Sequence, residues 1–415
     1  METQKTNSST SDSWYKLFAI NRMVFLWLAF GLAGGVIAGL YWIVLEFLTH
    51  GLSFFTGYYV IPVMTVSGLL AGLIIHFIGD PGEIQLIVNN IRFKGGTLDP
   101  ASNPSMILSS LLCISSGGSL GPEAPLVQVT GSTGTWLGRY LNLKDVELRS
   151  LTIAGMASGF TALFGAPLGG SLFALEILHH EHVVEYYEAL IPAFVSSCAS
   201  YVVFDLITRV GFGPIWTFPA FNTTSAIDFL YAVLLSIPAV IAGWIFIYLI
   251  RYIRSMLSKI NPPIYIKTLT GGAILGVIAY YLPLTRYFGH FQLQNLLDAR
   301  LSIGILVALL FGKIFTTAIT VTSGWKGGFI FPLFFIGTTM GFIINYFFPS
   351  VNITLAAVSC MAALNSCVTR TPISTTLLLS SLTGFSFFVP IMFASLAGFF
   401  LAPRSPFITA QMDEI

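Results

Sequence analysis

Residues 117–129 read Gly117-Gly118-Ser119-Leu120-Gly121-Pro122-Glu123-Ala124-Pro125-Leu126-Val127-Gln128-Val129, one carboxylate between two prolines in an apolar run. Gly followed by Pro marks a helix start, where unpaired N–H groups and the positive end of the helix dipole favour an anion. A second start stands at Gly327-Gly328-Phe329-Ile330-Phe331-Pro332. Gly121 and Pro125 recur as Gly328 and Pro332, an offset of 207 positions, and each Pro leads through Leu into an apolar run that reaches Gly131 or Gly337. Met156-Ala157 with Pro167 recurs as Met361-Ala362 with Pro372, an offset of 205. Two homologous halves are expected, at about 21–214 and 225–403, with a polar tail and short amphipathic helix over 1–20 and a short tail over 404–415. If each half crosses a membrane an odd number of times, the second is inverted and the two helix starts face each other near the midplane.

Composition leads to the membrane independently. Hydrophobic residues are 55% and charged residues 9% of the chain, against about 25% charged in an average soluble domain. Apolar runs at Val24–Leu45, Tyr59–Ile78, Phe229–Ile250, Leu301–Val321, Phe334–Phe348 and Phe385–Leu401 approach or reach the roughly 20 residues that span a bilayer. Met106–Ser116, Leu151–Phe164 and Leu168–Leu178, cut off by Gly and Pro after about 10 to 15 residues, are too short to span alone and read as re-entrant or half-helices shielded by protein. The expected fold is an all-α membrane protein, an inverted-repeat bundle of tilted and broken helices. An ionisable group such as Glu123 at membrane depth is a functional-site candidate by default.

The net charge of +1 gives no basis for nucleic-acid binding. Arg251, Arg254, Lys259 and Lys267 cluster after one long span, Arg22 precedes the first, and Arg92 and Lys94 follow the second. By the positive-inside rule these places are cytoplasmic, with both termini on that side of a multi-pass cell-membrane protein. The polar first 13 residues lack a cleavable apolar core and read as a disordered start. Cys113, Cys198, Cys360 and Cys367 lie in apolar stretches without C-x-x-C spacing and read as core residues. Without H-E-x-x-H, G-x-S-x-G or paired intramembrane aspartates, the chain is not expected to be an enzyme. Neither metal nor cofactor is expected beyond the transported ion. A cation transporter would need carboxylates lining its path, whereas the recognisable apparatus here is helix N-termini.

The run at 117–129 resembles the G-[KR]-E-G-P-x-V-Q signature of the CLC chloride channels and chloride/proton antiporters. Phe164-Gly165-Ala166-Pro167-Leu168-Gly169-Gly170-Ser171-Leu172-Phe173 is similar to that family's F-x-A-P-x-x-G-x-L-F. Ser323-Gly324-Trp325-Lys326 with Gly327–Pro332 is similar to its S-G-x-x-G-G-x-F-x-P. Order and spacing agree from about Arg22 to Pro406. The resemblance implies a homodimer in which each subunit has its own pathway for chloride or another small anion. It also implies that Glu123 is the external gate, its carboxylate standing where an anion would otherwise bind until protonation releases it. A carboxylate that only caps the helix starting at Pro122 is the alternative.

The resemblance assigns anion coordination to the backbone of Gly121, Gly328, Phe329, Ile330 and Phe331, with Ile330 replacing a central Phe. It places an inner anion site at Gly79-Asp80-Pro81-Gly82-Glu83-Ile84, where the family's serine is absent and either Gly79 or Asp80 takes its position. Asp80, Pro81 and Glu83 also fit N-cap, N1 and N3 of a capping box. Arg404-Ser405-Pro406-Phe407-Ile408 lacks the family's tyrosine, so a wider inner vestibule is expected. Glu176-Ile177 carries an apolar residue where antiporters have a second glutamate, which favours channel-like or weakly proton-coupled transport. Chloride/proton or fluoride/proton antiport is the alternative. Candidates for a proton path are Glu176, the Ile177 position and His179. The run His179-His180-Glu181-His182 reads as a relay or as a polar loop leaving the membrane. Lys313 adds positive potential to the anion path, or snorkels, or pairs with a carboxylate such as Glu176. Arg370 serves as a helix-terminus partner or as a vestibule charge.

Overall fold

A computed structural model describes residues 7–93, 95–178, 183–211, 213–219, 226–299 and 301–411, with side chains described from residue 22 onward except at 92 and 183–187. Among them are sixteen α-helices in two sets of eight. The first set is α1 (Asn7–Ser53), α2 (Val60–Ile78), α3 (Ile84–Phe93), α4 (Asn103–Ser115), α5 (Glu123–Tyr140), α6 (Asp145–Phe164), α7 (Pro167–Glu176) and α8 (Val183–Thr208). The second is α9 (Ala226–Ile260), α10 (Ile264–Tyr281), α11 (His290–Asp298), α12 (Ile303–Thr322), α13 (Ile330–Phe347), α14 (Ile353–Thr369), α15 (Pro372–Thr383) and α16 (Phe388–Phe400).

Contacts repeat between the sets. Helix α5 lies on α6 as α13 lies on α14, α1 on α8 as α9 on α16, and α2 on α4 as α10 on α12. Equivalent helices also meet each other, α2 with α10 and α7 with α15. The two sets of eight helices thus share one pattern of contacts, as two repeats of one unit would.

The landmarks of the repeat have the same structural cause in both halves. Gly131 approaches Met156 so closely that a Cβ would stand 2.8 Å from its Cγ, and at Gly337 a Cβ would stand 2.5 Å from the Met361 Cα. Only glycine lets those helices touch. Helix α6 ends on left-handed Gly165 (φ 61°) before Pro167 opens α7, and α14 ends on left-handed Arg370 (φ 59°) before Pro372 opens α15. Left-handed backbone at a non-glycine residue costs about 1–2 kcal/mol. At Arg370 the guanidinium donates to the carbonyls of Pro403 and Arg404. Arg370 is therefore a helix-terminus residue that ties down the C-terminal segment.

Seven described helices are long and apolar enough to cross a membrane, and the six long apolar runs fall on α1, α2, α9, α12, α13 and α16. Phe25, Phe47, Phe77 and Phe400 point outward from the bundle, each 71–79% exposed. Helices α4 and α7, of 13 and 10 residues, are the expected half-helices. Helix α6 is longer than its apolar run, at 20 residues, because Asp145 and Glu147 form a polar first turn favoured by the helix dipole.

An aromatic core surrounds the start of α13. Phe331 stacks on Phe164 at 4.7 Å between ring centroids and meets Trp216 and Phe288 edge-on. The Trp216 indole N–H donates to the His290 carbonyl at 2.9 Å. Burial pushes the His290 imidazole down to about 4, and its Nδ1 has no hydrogen-bond partner among the described residues.

Candidate functional site

Gly121 and Gly328 form the single isolated β-bridge among the described residues. The Gly121 N–H donates to the Gly328 carbonyl at 2.7 Å and the Gly328 N–H to the Gly121 carbonyl at 2.6 Å. These are the residues that the 207-position offset relates, so the bridge joins equivalent positions of the two sets of helices. It holds the starts of α5 and α13 together.

Glu123 is the first residue of α5 and is 2% exposed. Its Oε1 accepts a hydrogen bond from the Phe331 N–H at 3.1 Å, in the first turn of α13. Its Oε2 is buried without a hydrogen-bond partner among the described residues. A Cβ on Gly121 would stand 2.1 Å from that oxygen and one on Gly328 2.4 Å from it. The carboxylate therefore lies in a cradle made by two glycines and a helix terminus. It engages the opposite half of the chain, unlike a carboxylate serving only its own helix.

Gly121, Glu123, Gly328, Phe329, Ile330 and Phe331 thus come together, while Gly79 and Asp80 lie apart. The Gly79 N–H donates to the Ile75 carbonyl at 3.0 Å as the end of α2, so it is not a free donor for an anion. The capping box is not formed. Helix α3 begins at Ile84, after left-handed Gly82 (φ 82°), and Asp80 Oδ1 accepts instead from the Gly82 N–H at 2.9 Å and the Lys326 ammonium at 2.7 Å. Burial works against the Asp80 charge, but the Lys326 ammonium, the Gly82 N–H and Lys267 hold its carboxyl below the usual carboxylate range.

Asp80, Lys326, Glu83 and Arg254 line a vestibule of about 780 Å³ on the side of the C-terminal segment. Arg254 donates to Glu83 at 2.6 Å. A separate, small cavity of about 20 Å³ lies against Gly327 and Phe329, bounded by Trp325, Phe407 and Ile408. The expectation of a wider inner path fails there. Phe407 packs edge-on against Phe329 at 4.9 Å, filling with a ring the space that a missing hydroxyl was expected to leave.

Of the proton-path candidates, Glu176 and Ile177 lie together at the end of α7. The Glu176 carboxylate accepts from the N–H groups of Ile373 (2.9 Å) and Ser374 (2.7 Å) and from the Ser374 hydroxyl (2.6 Å), which caps α15. Ile177 is 1% exposed, and its carbonyl accepts from Gln411. His179 and the rest of the run to His182 lie outside the described residues. Lys313 neither snorkels nor pairs with Glu176. Its buried ammonium donates to the carbonyls of Thr285 (3.0 Å) and Tyr287 (2.6 Å). Lys326 and Phe407 escaped the sequence reading, since the motif leaves position 326 variable and the tail differs from the family's.

An uncharacterized protein of Methanocaldococcus jannaschii is 34% identical over 286 residues, covering 69% of this chain and 71% of that protein. The crystal structure of a CLC-type fluoride/proton antiporter matches with a TM-score of 0.84 at 20% identity, covering 95% of this chain and 98% of that one. That of a slow cyanobacterial Cl⁻/H⁺ antiporter matches with a TM-score of 0.82 at 19% identity, covering 94% and 96%. Residues 67–402 fit the family model for the voltage gated chloride channel, and with the eight-plus-eight helix arrangement around Glu123 the chain belongs to that family.

Proposed function

We propose that the protein carries chloride or a related small anion across the cell membrane through a pathway gated by Glu123, with little or no coupling to protons. The observation that carries this reading is the Glu123 carboxylate on the Phe331 N–H. A negative group already occupies a helix terminus built for one, in a place that an anion reaches only when the carboxylate leaves. Gly121, Gly328, Phe329, Ile330 and Phe331 supply the backbone around that place. Weak coupling is favoured by the tail side, where Glu176 is engaged by three donors and Ile177 is buried in the core. The vestibule with Arg254 faces the cytoplasm, as do both termini, and two protomers pair in the bilayer with one pathway each. No cofactor enters this reading.

A second reading, anion/proton antiport, is favoured by the descriptions of the two matched structures, a fluoride/proton and a Cl⁻/H⁺ antiporter. Purified protein in liposomes under chloride, fluoride and potassium gradients, with proton movement recorded, tests both. Anion flux without uphill proton transport is expected. Potassium flux in place of anion flux would reject the anion reading.

A further inference from the structure

The tail-side vestibule contains an asymmetric ion pair. Lys326 lies in its wall with a side chain 4% exposed, two residues before Gly328 of the central bridge. Its ammonium donates to Asp80 Oδ1 at 2.7 Å and to the Gly82 carbonyl at 3.3 Å. The Asp80 side chain is 62% exposed and projects into a cavity of about 780 Å³. A buried cation is thus covered by a carboxylate that stands mostly in water.

The two partners differ in what separation costs them. An exposed carboxylate recovers its hydration on swinging away. A buried ammonium left without a counter-charge does not, and such vacancies are strongly unfavourable unless another anion fills them. The vestibule has room for one. The second cation among its described lining residues, Arg254, pairs with Glu83 at 2.6 Å, but there both side chains are part-exposed, at 36% and 40%. Elsewhere in the molecule the Glu123 carboxylate occupies the Phe331 N–H by the same principle.

We propose that Lys326 is an anion-binding residue of the tail-side pathway and that Asp80 is a tethered anion which a permeating chloride-like ion displaces from it. This rests on the anion-transport reading above. The competing account is a latch: Asp80 fastens the turn between α2 and α3 to the segment before α13 and never leaves. The Gly82 N–H on Asp80 Oδ1 at 2.9 Å belongs to either account.

Asp80→Asn separates them, because an asparagine oxygen still accepts from Gly82 and Lys326 while the charge is gone. Chloride is the probe, titrated calorimetrically into the purified full-length protein and followed as efflux from liposomes over a range of chloride concentrations. A tethered anion predicts that Asp80→Asn lowers the half-saturating chloride concentration by roughly three-fold or more, the upper range for an exposed pair. Lys326→Gln raises it, and Asp80→Asn added to Lys326→Gln then gains nothing. If the asparagine variant does not fold, Asp80→Ser serves, since its hydroxyl also accepts the Gly82 N–H. A folded Asp80 variant with unchanged or weaker chloride dependence overturns the inference, as does Lys326→Gln with unaltered affinity. If the unmodified protein passes chloride while the variants behave alike, only this inference fails. An unmodified protein that passes no anion rejects the transport reading as well.

Discussion

The Glu123 carboxylate, which starts a helix of the first half, accepts its hydrogen bond from the Phe331 N–H, which starts a helix of the second half. The Glu123 carboxylate therefore reaches across to the helix start of the opposite half. Glu123→Gln and Glu123→Ala remove the competing charge, and each is expected to raise chloride efflux at neutral pH and to abolish its pH dependence. Efflux from liposomes between acid and neutral pH measures this. A carboxylate serving only as a helix cap gives a different result: about 1 kcal/mol less stability with the pH response intact.

The glycine cradle makes a second prediction about the same carboxylate. In Gly328→Ala the new Cβ comes within 2.4 Å of Glu123 Oε2 and 2.7 Å of its Cδ. Either the carboxylate leaves the Phe331 N–H or the backbone shifts, at a cost of roughly 1–3 kcal/mol. The expected outcome is a lowered melting midpoint together with efflux resembling Glu123→Ala. Because both changes act on one carboxylate, their effects on efflux should not add. Independent, additive effects in the double variant would show that the alanine acts elsewhere.

Coupling is the third point of test. Chloride gradients are expected to drive little or no uphill proton movement. Ile177→Glu alone is expected not to restore tight exchange. That position is 1% exposed, so a carboxylate there would be buried. Parallel recordings of chloride and proton flux decide the matter. Stoichiometric proton pumping by the unmodified protein would turn attention to Glu176 and His179.

His290 sets a pH dependence of stability. Its folded value of about 4 lies below the ordinary histidine value of about 6.5 because burial disfavours the charged imidazole. Between these values the unfolded chain binds a proton that the folded one does not, so stability rises with pH across that window and is complete above it. The melting midpoint should therefore fall as pH is lowered from about 6.5 towards about 4. His290→Gln should flatten that slope. Equal slopes for the variant and the unmodified protein would place the titration at another group.

Much of this architecture can be read in the chain because its signals are local. A Gly-Pro helix start, an apolar run and a repeated Met-Ala each occupy a few residues, and they locate α5, α13 and the carboxylate between them. The features that escaped reading depend on partners distant in sequence. Lys326 and Asp80 are 246 positions apart, and Glu176 meets Ser374 across 198. Lys313 bonds to carbonyls in and beside a short 3-10 turn, Pro283–Thr285, which no periodicity foreshadows. The capping pattern at Asp80 was misleading for a related reason. Left-handed Gly82 interrupts the helix locally, and a distant lysine captures the carboxylate.

The reciprocal bond between Gly121 and Gly328 also bears on how the protein is made. A nascent chain halted after its first eight helices carries Glu123 but neither the Phe331 N–H nor the Gly328 that cradles it. No half-made chain can form that contact. Acid and donor come together only when the second half has been inserted, so the central contact is among the last that the growing chain can make.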